Sequence, residues 1–366
     1  MADRTLHAII PAGGAGTRLW PLSRRAWPKY LLSLDGNRNL LQAACDRLAG
    51  VACDYTVVTS PLTAGAVGQS LGSRFSSVQI IAEPSPKNSM PAIGLAAAIT
   101  EARHGGDALV GSFAADHAIR DEQAFAQVVA DAMATAQAGY VVTIGITPTR
   151  PDTGYGYIDA GEALKDAPAR AVRSFTEKPD AQCAQAYLAQ GTYLWNAGMF
   201  VARCGVLLDR LAVEHPQLAA GLRRIAAAWD TADAEDVLAR EWPQLTAIAI
   251  DHAVAEPAAA AGAVAVCQAG TIGWSDVGDY DTLASEARES DGARIVGPLE
   301  AAAVESPGAL VAGTDRVAGE KVVVFGVPDA VVVREGDVTL VTTRQRAGQI
   351  KALTAALEQT PLANLD

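Results

Sequence analysis

The stretch HAIIPAGGAGTRLWPLSRRAWPKYLLSLDG, residues 7–36, decides how the rest of the chain is interpreted. It opens with an apolar run of strand length, and a glycine-rich turn follows directly. The glycines of this turn are Gly13, Gly14 and Gly16. Glycine permits positive φ and close approach of a ligand, and consecutive exposed N–H groups in such a turn bind anions. The strand and turn therefore predict a phosphate site.

Two cations follow the glycine turn. Arg18 and Lys29 lie in a segment that Pro21 and Pro28 stiffen, so their side chains project from a chain with little helical character. Fixed positive charges beside a glycine turn suit a polyphosphate. For the glycines alone, an ordinary turn with solvated charges is an equal alternative.

The glycine spacing excludes two common phosphate-binding motifs. It is neither the G-x-G-x-x-G of dinucleotide-binding folds nor the G-x-x-x-x-G-K-[ST] of P-loops. The glycine spacing therefore makes an NAD-binding oxidoreductase a distant third among the possible functions.

Composition limits the partners of the chain. It has 366 residues, of which half are apolar and 19% are charged, and this predicts a large α/β unit with a smaller appendage. The net charge of −12 argues against a nucleic-acid polymer or an anionic membrane surface, because both are bound through clustered Lys and Arg. Local cations must therefore hold an anionic ligand.

Cysteine usage and the N-terminus predict a cytoplasmic protein. Five cysteines are an odd number, and no C-x-x-C pair occurs, so neither a disulfide framework nor a zinc site is indicated. The apolar run before the glycines is too short for a secretory signal, and no stretch approaches about 18 uninterrupted apolar residues.

Apolar periodicity predicts alternating strands and helices, beginning with a βαβ unit. The predicted strands are 7–11, 55–60, 78–82, 108–114, 141–147 and 171–176, and the predicted helices are 40–48, 92–103 and 206–240. Beyond about residue 288, short β segments separated by glycine predict a separate small β-rich domain. Flat apolar strands in so small a unit favour pairing with a second copy of the chain.

Several polar residues lie where ligands or helix caps are expected. Asp116 and His117 follow the strand at 108–114, at the sheet edge where open parallel sheets collect ligands, although a lone Asp there is more often a turn residue. Asn88 and Ser89 precede a helix, and capping is the first interpretation of both.

Six motifs in chain order resemble one enzyme family. They are GGAGTRLWPLSRRAWPK, EPSPKNSMPA, ADHAI, PDTGYGYI with EKP, WNAGMF, and GWSDVGDYDTL. The set is similar to the sugar-1-phosphate nucleotidylyltransferases, and within them to the monofunctional bacterial mannose-1-phosphate guanylyltransferases (GDP-mannose pyrophosphorylases). The resemblance covers roughly residues 6–285. Tyr30 replaces the family's Gln. His252, Ala255 and Pro257 replace the family's Tyr, Met and Lys, so we transfer no catalytic role to His252, Ala255 or Pro257.

The resemblance implies a fold and a set of site residues. The fold is a Rossmann-like nucleotidyltransferase domain at 1–287 with a mixed, mainly parallel sheet, and a β-rich domain at 288–366 that includes a short left-handed β-helix and mediates dimerisation. The implied catalytic residues are Arg18 and Lys29, and the implied metal ligands are Asp116 and Asp276. The implied nucleotide-binding residues are Ala12, Gly13, Gly14, Gly16, Thr17, Pro86, Lys87, Asn88 and Ser89. The implied sugar-phosphate-binding residues are Tyr155, Gly156, Glu177, Lys178 and Asn196.

The implied reaction is Mg²⁺-dependent transfer of GMP from GTP to mannose 1-phosphate, which gives GDP-mannose and pyrophosphate. A sugar phosphate is already an anion at pH 7 and needs no general base, which agrees with the lack of a Ser-His-Asp, Cys-His or paired-carboxylate pattern. Another sugar-1-phosphate nucleotidylyltransferase would share the opening motif, both aspartates and EKP. A catalytically inactive sensor of sugar nucleotides should have lost site cations or carboxylates, and the sequence retains them.

Overall fold

The fold is taken from a computed structural model, which describes residues 5–14, 16–34, 36–72, 74–75, 77–357 and 360. The strands of the first sheet are β1 (Leu6–Ala12), β2 (Ala52–Thr59), β3 (Val78–Ala82), β4 (Leu109–Ser112), β5 (Val141–Ile146), β6 (Tyr157–Ala163), β7 (Arg170–Thr176), β8 (Tyr193–Arg203) and β9 (Val264–Gly270). The helices around it are α1 (Leu40–Leu48), α2 (Ala64–Leu71), α3 (Ser89–His104), α4 (Glu122–Gln137), α5 (Ala181–Gln190), α6 (Cys204–Glu214), α7 (Pro216–Ala228), α8 (Ala234–Glu241), α9 (Glu256–Ala260) and α10 (Tyr280–Glu286).

The nine-stranded sheet is mixed and mainly parallel, as expected, because its strands β7 and β8 run opposite to the other seven. Its order is β3-β2-β1-β4-β8-β5-β9-β7-β6. The strands from β3 to β4 pair in parallel, whereas β8 pairs antiparallel with both β4 and β5. β6 and β7 are also antiparallel, because the short link between Ala163 and Arg170 allows a hairpin but not a crossover.

The predicted βαβ unit is present at the start of the sheet. β1 pairs in parallel with β2, and α1 connects them. α1 begins at a capping box in which the Asn39 side chain accepts from the Gln42 backbone and the Gln42 side chain accepts from the Asn39 backbone. This unit fixes the carboxyl end of β1, where the glycine turn begins.

α3 is buried on the sheet, and α7 packs across it. The closest approach is at Gly94, where an added Cβ would lie 2.7 Å from Leu222 Cδ1. The stretch 206–240, predicted to be helical, consists of three helices, and His215 ends α6 just before Pro216 begins α7. These three helices pack together with α3 in one buried cluster against the sheet.

The second sheet begins at Arg288. It has the order β10 (Arg288–Ser290), β11 (Ala293–Val296), β13 (Leu310–Gly313), β15 (Ala330–Glu335) and β16 (Val338–Thr343). A separate two-stranded parallel sheet joins β12 (Glu300–Val304) to β14 (Lys321–Phe325), and α11 (Ile350–Leu357) follows. β11, β13 and β15 pair in parallel, so the chain alternates between two sheets as in a solenoid.

The opening segment is packed against this small domain. Leu19, Trp20 and Leu22 share one buried cluster with α10 and with β13 and β15. The hydroxyl of the buried Tyr280 lies 2.8 Å from the carbonyl oxygens of both Leu19 and Trp20. The small domain therefore supports the segment that carries both candidate catalytic cations.

Two general expectations can be compared with the structure. All five cysteines are free thiols. Among the described residues, no helix is both long enough and apolar enough to span a bilayer.

Candidate active site

The glycine turn lies at the carboxyl end of β1 and exposes backbone donors. Among the described residues, no acceptor is found for the backbone N–H groups of Gly13, Gly14 and Gly16. A Cβ added at Gly14 would meet nothing within 4 Å. Unpaired, accessible N–H groups at an open turn are suited to an anion.

Of the three glycines, only Gly16 has a positive φ, 66°. A Cβ at this position would lie 2.6 Å from Lys29 Cβ. Gly16 is therefore required both by its backbone conformation and by the close approach of Lys29. The expected conformational need for glycine at positions 13 and 14 is not found, and their role is to leave space.

Lys29 connects the two predicted metal ligands. Its buried Nζ lies 2.6 Å from Asp116 Oδ2 and donates to the backbone carbonyl of Asp276 at 2.6 Å. Burial opposes ionisation of Asp116, but the charge of Lys29 and its hydrogen bond to the carboxylate outweigh it, so the pKa of Asp116 is lowered. Three residues that are far apart in sequence thus meet at one point.

A short antiparallel bridge brings the two aspartates together. Ala118 and Ser275 exchange backbone hydrogen bonds of 2.9 Å in both directions. Asp116 lies two residues before the first of them, and Asp276 directly follows the second. Their convergence is therefore built into the backbone.

The donor set of the two aspartates fits Mg²⁺. Asp276 Oδ1 accepts from the Tyr155 hydroxyl at 2.9 Å. Each aspartate keeps a second carboxylate oxygen that no side chain in the described part of the chain binds. Mg²⁺ uses one or two protein carboxylates together with phosphate oxygens and water, which this pair can supply.

Arg18 lies next to the glycine turn, in a single 3₁₀ turn at Thr17–Leu19. Its side chain is exposed, and neither an ion pair nor a hydrogen bond of its guanidinium is found within the described residues. Thr17 is also exposed, and Ala12 is buried at the end of β1. Within the described part of the chain, Arg18 is thus available to a ligand without having to leave another partner.

The segment after β3 only partly fulfils its predicted role. Lys87 Nζ donates to the carbonyls of Pro243 and Leu245, at 2.9 and 2.7 Å, and Ser89 Oγ accepts from the Ile250 backbone at 2.9 Å. These contacts hold residues 243–250 in place and favour a packing role for both side chains, while the nucleotide contact stays a prediction.

Asn88 stands at the N-cap position of α3, but the expected capping bond is absent there. Its φ is 63°, a strained value for a residue other than glycine, and its side chain is exposed, as is Pro86. Backbone strain of this kind is common where a residue faces a ligand.

Glu83 is a site residue that the sequence did not single out. It follows β3 and is buried, with Oε1 3.4 Å from the position that a Cβ on Gly13 would occupy. Its Oε2 has no hydrogen-bond partner among the described residues. Burial raises the pKa of Glu83 to about 7. An unpaired buried carboxyl beside the glycine turn is a strong candidate for contact with a ligand.

The predicted sugar-side residues surround a cleft of about 230 Å³. Its lining includes Tyr155, Gly156, Glu177 and Asn196 together with Asp276. A Cβ on Gly156 would lie 2.6 Å from Glu177 Oε2, so glycine is needed there for Glu177 to approach. Lys178 is not in this lining: its side chain is exposed and pairs with Glu177.

Asn196 is held by its neighbours. Its Oδ1 accepts from Thr143 Oγ1 at 2.8 Å and from the Gly198 backbone at 3.1 Å, while its Nδ2 donates to Asp251 Oδ1 at 2.8 Å. Asn196 therefore orients Asp251, which also lines the cleft. Burial, followed by the negative charge of Glu177, raises the pKa of Asp251 to about 6.

His117 contributes a neutral donor to the cleft. Its Nδ1 accepts from Trp274 Nε1 at 3.2 Å, which places the imidazole proton on Nε2. Burial lowers the pKa of His117, so the ring stays uncharged at neutral pH. Trp274 and Tyr155 pack edge to face beside it and form an aromatic wall.

Sequence reasoning overlooked the roles of Glu83 and Asp251. Glu83 opens the motif EPSPKNSMPA, and Asp251 directly precedes His252, one of the three positions that depart from the family pattern. The signal that could have found them is an acidic residue directly after an apolar strand or inside a buried turn. Of the residues that depart from the family pattern, His252 and Ala255 lie in the π-helical turn Asp251–Ala255, and Pro257 lies at the start of α9. His252 Nδ1 lies 2.9 Å from Glu256 Oε2.

Comparison with known proteins agrees with this arrangement. A family model described as nucleotidyl transferase matches residues 7–291. The xanthan biosynthesis protein XanB of Xanthomonas campestris pv. campestris (strain B100) is 36% identical, over 96% of this chain and 73% of that protein. The mannose-1-phosphate guanylyltransferase of Escherichia coli (strain K12) is 37% identical, with the same two shares.

A solved structure matches over the same length. The crystal structure described as mannose-1-phosphate geranyltransferase from Thermus thermophilus has a TM-score of 0.84 and 27% identity, and the match covers 97% of this chain and 99% of that one. It therefore includes the small β-rich domain as well as the large sheet.

The chain belongs to the nucleotidyl transferase family. It is an enzyme of that class, and the curated relatives that it resembles over most of its length include mannose-1-phosphate guanylyltransferases from several bacteria. The family resemblance derived from the six motifs is thereby confirmed.

Proposed function

We propose that the protein transfers GMP from GTP to α-D-mannose 1-phosphate in the presence of Mg²⁺, releasing pyrophosphate and forming GDP-mannose. The observation that carries this proposal is the meeting of Lys29, Asp116 and Asp276 between the glycine turn and the 230 Å³ cleft. A cation and two carboxylates at the junction of a phosphate site and a polyol site suit transfer between two phosphates.

The proposed chemistry requires placement more than proton transfer. An oxygen of the sugar phosphate attacks the α-phosphorus of GTP, a new phosphorus–oxygen bond forms, and the bond from the α-phosphorus to the bridging oxygen of pyrophosphate breaks. The N–H groups of Gly13, Gly14 and Gly16, with Arg18, bind the triphosphate and neutralise charge on the leaving pyrophosphate. Lys29 holds the reacting phosphoryl group beside Asp116.

Asp116 and Asp276 would hold the Mg²⁺. The ion, when bound, polarises phosphate oxygens and aligns the two substrates. In the cleft, Glu177 and Asp251 accept from sugar hydroxyls, His117 Nε2 donates, and the aromatic wall packs on the apolar face of the sugar. Lys178 remains proposed as the partner of the sugar phosphate, because a turn of its exposed side chain away from Glu177 frees its charge.

Glu83 supports guanine as the base. Guanine presents two neighbouring donors, N1–H and the amino group, which one carboxylate accepts together. Uracil and thymine place carbonyl oxygens on both sides of their single N–H, and these would face the carboxylate. Adenine and cytosine place an acceptor nitrogen beside their amino group. The unpaired carboxyl beside Gly13 therefore favours GTP.

One assay tests the proposal and separates the alternatives. Pyrophosphate release is measured for each of GTP, ATP, CTP, UTP and TTP with mannose, glucose and N-acetylglucosamine 1-phosphates, with and without EDTA. We expect the highest kcat/KM for GTP with mannose 1-phosphate, and no release with EDTA. A higher value for another pair would identify a different nucleotidylyltransferase. Binding of GDP-mannose with no release under any condition would identify a sensor.

Replacing Glu83 with Gln should reduce the preference for GTP. Loss of the charged acceptor should lower kcat/KM for GTP by about 10- to 100-fold, the usual value of hydrogen bonds to a charged group. The value for UTP serves as the internal control and should change less than threefold.

The pH dependence provides a second readout of Glu83. Because its pKa is raised to about 7, the carboxyl is mostly protonated at pH 6 and accepts poorly. KM for GTP in the native enzyme should therefore fall between pH 6 and pH 8, and this trend should disappear in Glu83→Gln. Equal GTP preference in both proteins would remove Glu83 from base recognition.

Replacing Arg18 with Ala should lower kcat by about 100-fold, the loss typical of removing one charge-stabilising donor. The free energy of unfolding should change by less than about 0.5 kcal/mol, because the side chain is exposed. Arg173→Ala, at an exposed arginine of β7, is the matched control. Turnover near that of the control would exclude Arg18 from catalysis.

We also propose a homodimer formed through the small domain, in which the two alternating sheets are coils of a short left-handed β-helix. Val323 and Phe325 on β14 and Val304 on β12 are 73%, 67% and 52% exposed. The pairing of Val304 with Phe325 places all three on one face. An exposed apolar face on a short parallel sheet suits a second copy of itself.

The double variant Val323→Asp, Phe325→Asp should be a monomer, because dimer formation would bury both new carboxylates in the proposed interface. Light scattering measures the oligomeric state. Val341→Asp, on the 68% exposed position of β16, should leave the oligomeric state unchanged. If the native protein is a monomer, or if the double variant stays dimeric, this interface is wrong.

A further inference from the structure

A further cavity lies apart from the candidate active site. It has a volume of about 740 Å³ and lies between the opening segment and the small domain. The opening segment contributes residues 22, 24–27 and 31–33, and the small domain contributes 296–298, 313–316 and 335. Sites for small molecules have volumes of about 300–1,000 Å³ and are common between domains. The proposed transferase reaction makes no use of this cavity.

The cavity is mostly apolar, with a ring system at its entrance. Leu22, Leu31, Leu32 and Leu62 line it together with Trp27. Trp27 is 47% exposed and Leu62 is 63% exposed, although both are large apolar side chains. Such a lining is suited to an apolar or aromatic group and unsuited to a free sugar phosphate.

The charges at the cavity favour an anion. Three arginines, Arg24, Arg25 and Arg316, face two acids in its lining, an excess of one positive charge on a chain whose net charge is −12. One acid is already neutralised, because the buried Glu335 accepts from Arg316 at 3.2 Å and from Thr314.

Arg24 provides a specific anchor. Its Nη2 is buried and has no hydrogen-bond partner within the described residues. Its Nε makes only a long bond of 3.4 Å to the Pro21 carbonyl. A buried unpaired N–H group is costly, and an anion in the cavity would remove that cost after a small rotation of the guanidinium.

The wall of the cavity also carries the catalytic lysine. Arg24 and Trp27 exchange backbone hydrogen bonds of 2.9 and 3.1 Å, and Pro28 then leads into the 3₁₀ turn Lys29–Leu31. Leu31 and Leu32 contact the cavity, while Lys29 in the same turn contacts Asp116. A ligand that holds one side of this turn therefore also fixes the other.

We propose that this cavity binds a small amphipathic anion, an aromatic or apolar group bearing one phosphate, sulfonate or carboxylate, and that its occupancy regulates the enzyme by fixing the turn that carries Lys29. The apolar body lies against Trp27 and the leucines, and the anionic group pairs with Arg24. The ligand contacts both domains, so the small domain takes part in control of the active site.

Binding of 8-anilinonaphthalene-1-sulfonate, an aromatic monoanion, tests the proposal on the full chain by fluorescence and calorimetry. We expect one site per chain. Leu62→Trp should weaken binding at least tenfold by filling the entrance, whereas Val213→Trp, at an exposed apolar residue of α6, should not change it. Arg24→Met should also weaken it about tenfold or more, and Arg173→Met should not.

Two further measurements locate the site and its chemistry. The neutral analogue N-phenyl-1-naphthylamine should bind equally to the native chain and to Arg24→Met. Hydrogen–deuterium exchange with the sulfonate should show protection in residues 22–33 and 296–316 of the native chain, and none in Leu62→Trp. Sulfonate binding that Leu62→Trp leaves unchanged, or protection confined to other segments, would overturn the site. If Arg24→Met weakens binding of the sulfonate and of the neutral analogue equally, Arg24 does not pair with the anionic group.

Discussion

Replacing Lys29 with Met is expected to lower kcat by at least about 100-fold, because it removes a fixed charge from the point where the two phosphates meet. The loss should be accompanied by lower stability. Asp116 would lose the ammonium group that lies 2.6 Å from its carboxylate, and a half-buried charge would be left without its partner. Steady-state pyrophosphate release gives kcat, and thermal unfolding monitors the folded state.

Lys321→Met is the matched control for this variant, since Lys321 is an exposed lysine of β14 whose loss should not change turnover. Lys29→Arg should restore little activity, because a planar guanidinium does not reproduce the two 2.6 Å contacts that Nζ makes with Asp116 Oδ2 and the Asp276 carbonyl. If Lys29→Met turns over within about fivefold of the native enzyme, well short of the loss expected for such a group, the lysine has no role in the chemistry.

Asp116→Asn should lower kcat about 1,000-fold, the upper end of the range for a single electrostatic group, because one change affects two parts of the site. It removes a carboxylate from the proposed Mg²⁺ site, and it leaves the buried ammonium of Lys29 without its anionic partner. Because a weakened ion site can be filled at higher concentration, raising Mg²⁺ should restore part of the activity. Rates measured across a range of Mg²⁺ concentrations check both effects.

Asp291→Asn is the control for Asp116→Asn, because Asp291 is an exposed residue with a positive φ of 48°, a conformation that Asn tolerates. It should keep the native rate and Mg²⁺ dependence. A native Mg²⁺ dependence in Asp116→Asn would show that the ion, if required, is held by other residues.

The parts of the site that could be predicted from sequence are those in which a local string sets the local geometry. The strand, the glycines and the cations lie within thirty residues, and Asp116 lies a few residues after a buried strand. The path of the sheet could not be predicted, because apolar periodicity does not reveal that β8 returns antiparallel between β4 and β5.

Contacts between residues that are far apart in sequence could not be predicted either. Asp251 acquires its role through a hydrogen bond to Asn196, and the two aspartates meet only through the bridge at Ala118 and Ser275. Asn88 was expected to cap a helix, but tertiary contacts impose a positive φ on it instead. Local preference for capping was overridden by the surrounding structure.

The antiparallel return of β8 divides the binding surface between two stretches of chain. The groups proposed for the triphosphate and the base come from residues before 120, whereas those proposed for the sugar come from residues 150–200 and 250–256, with His117 and Asp276 at the junction. On this proposal, substitutions at Asp251 or Glu177 change which hexose is accepted without disturbing Glu83 or the glycine turn. Relatives of this enzyme can thus acquire a new acceptor and a new donor in separate evolutionary steps.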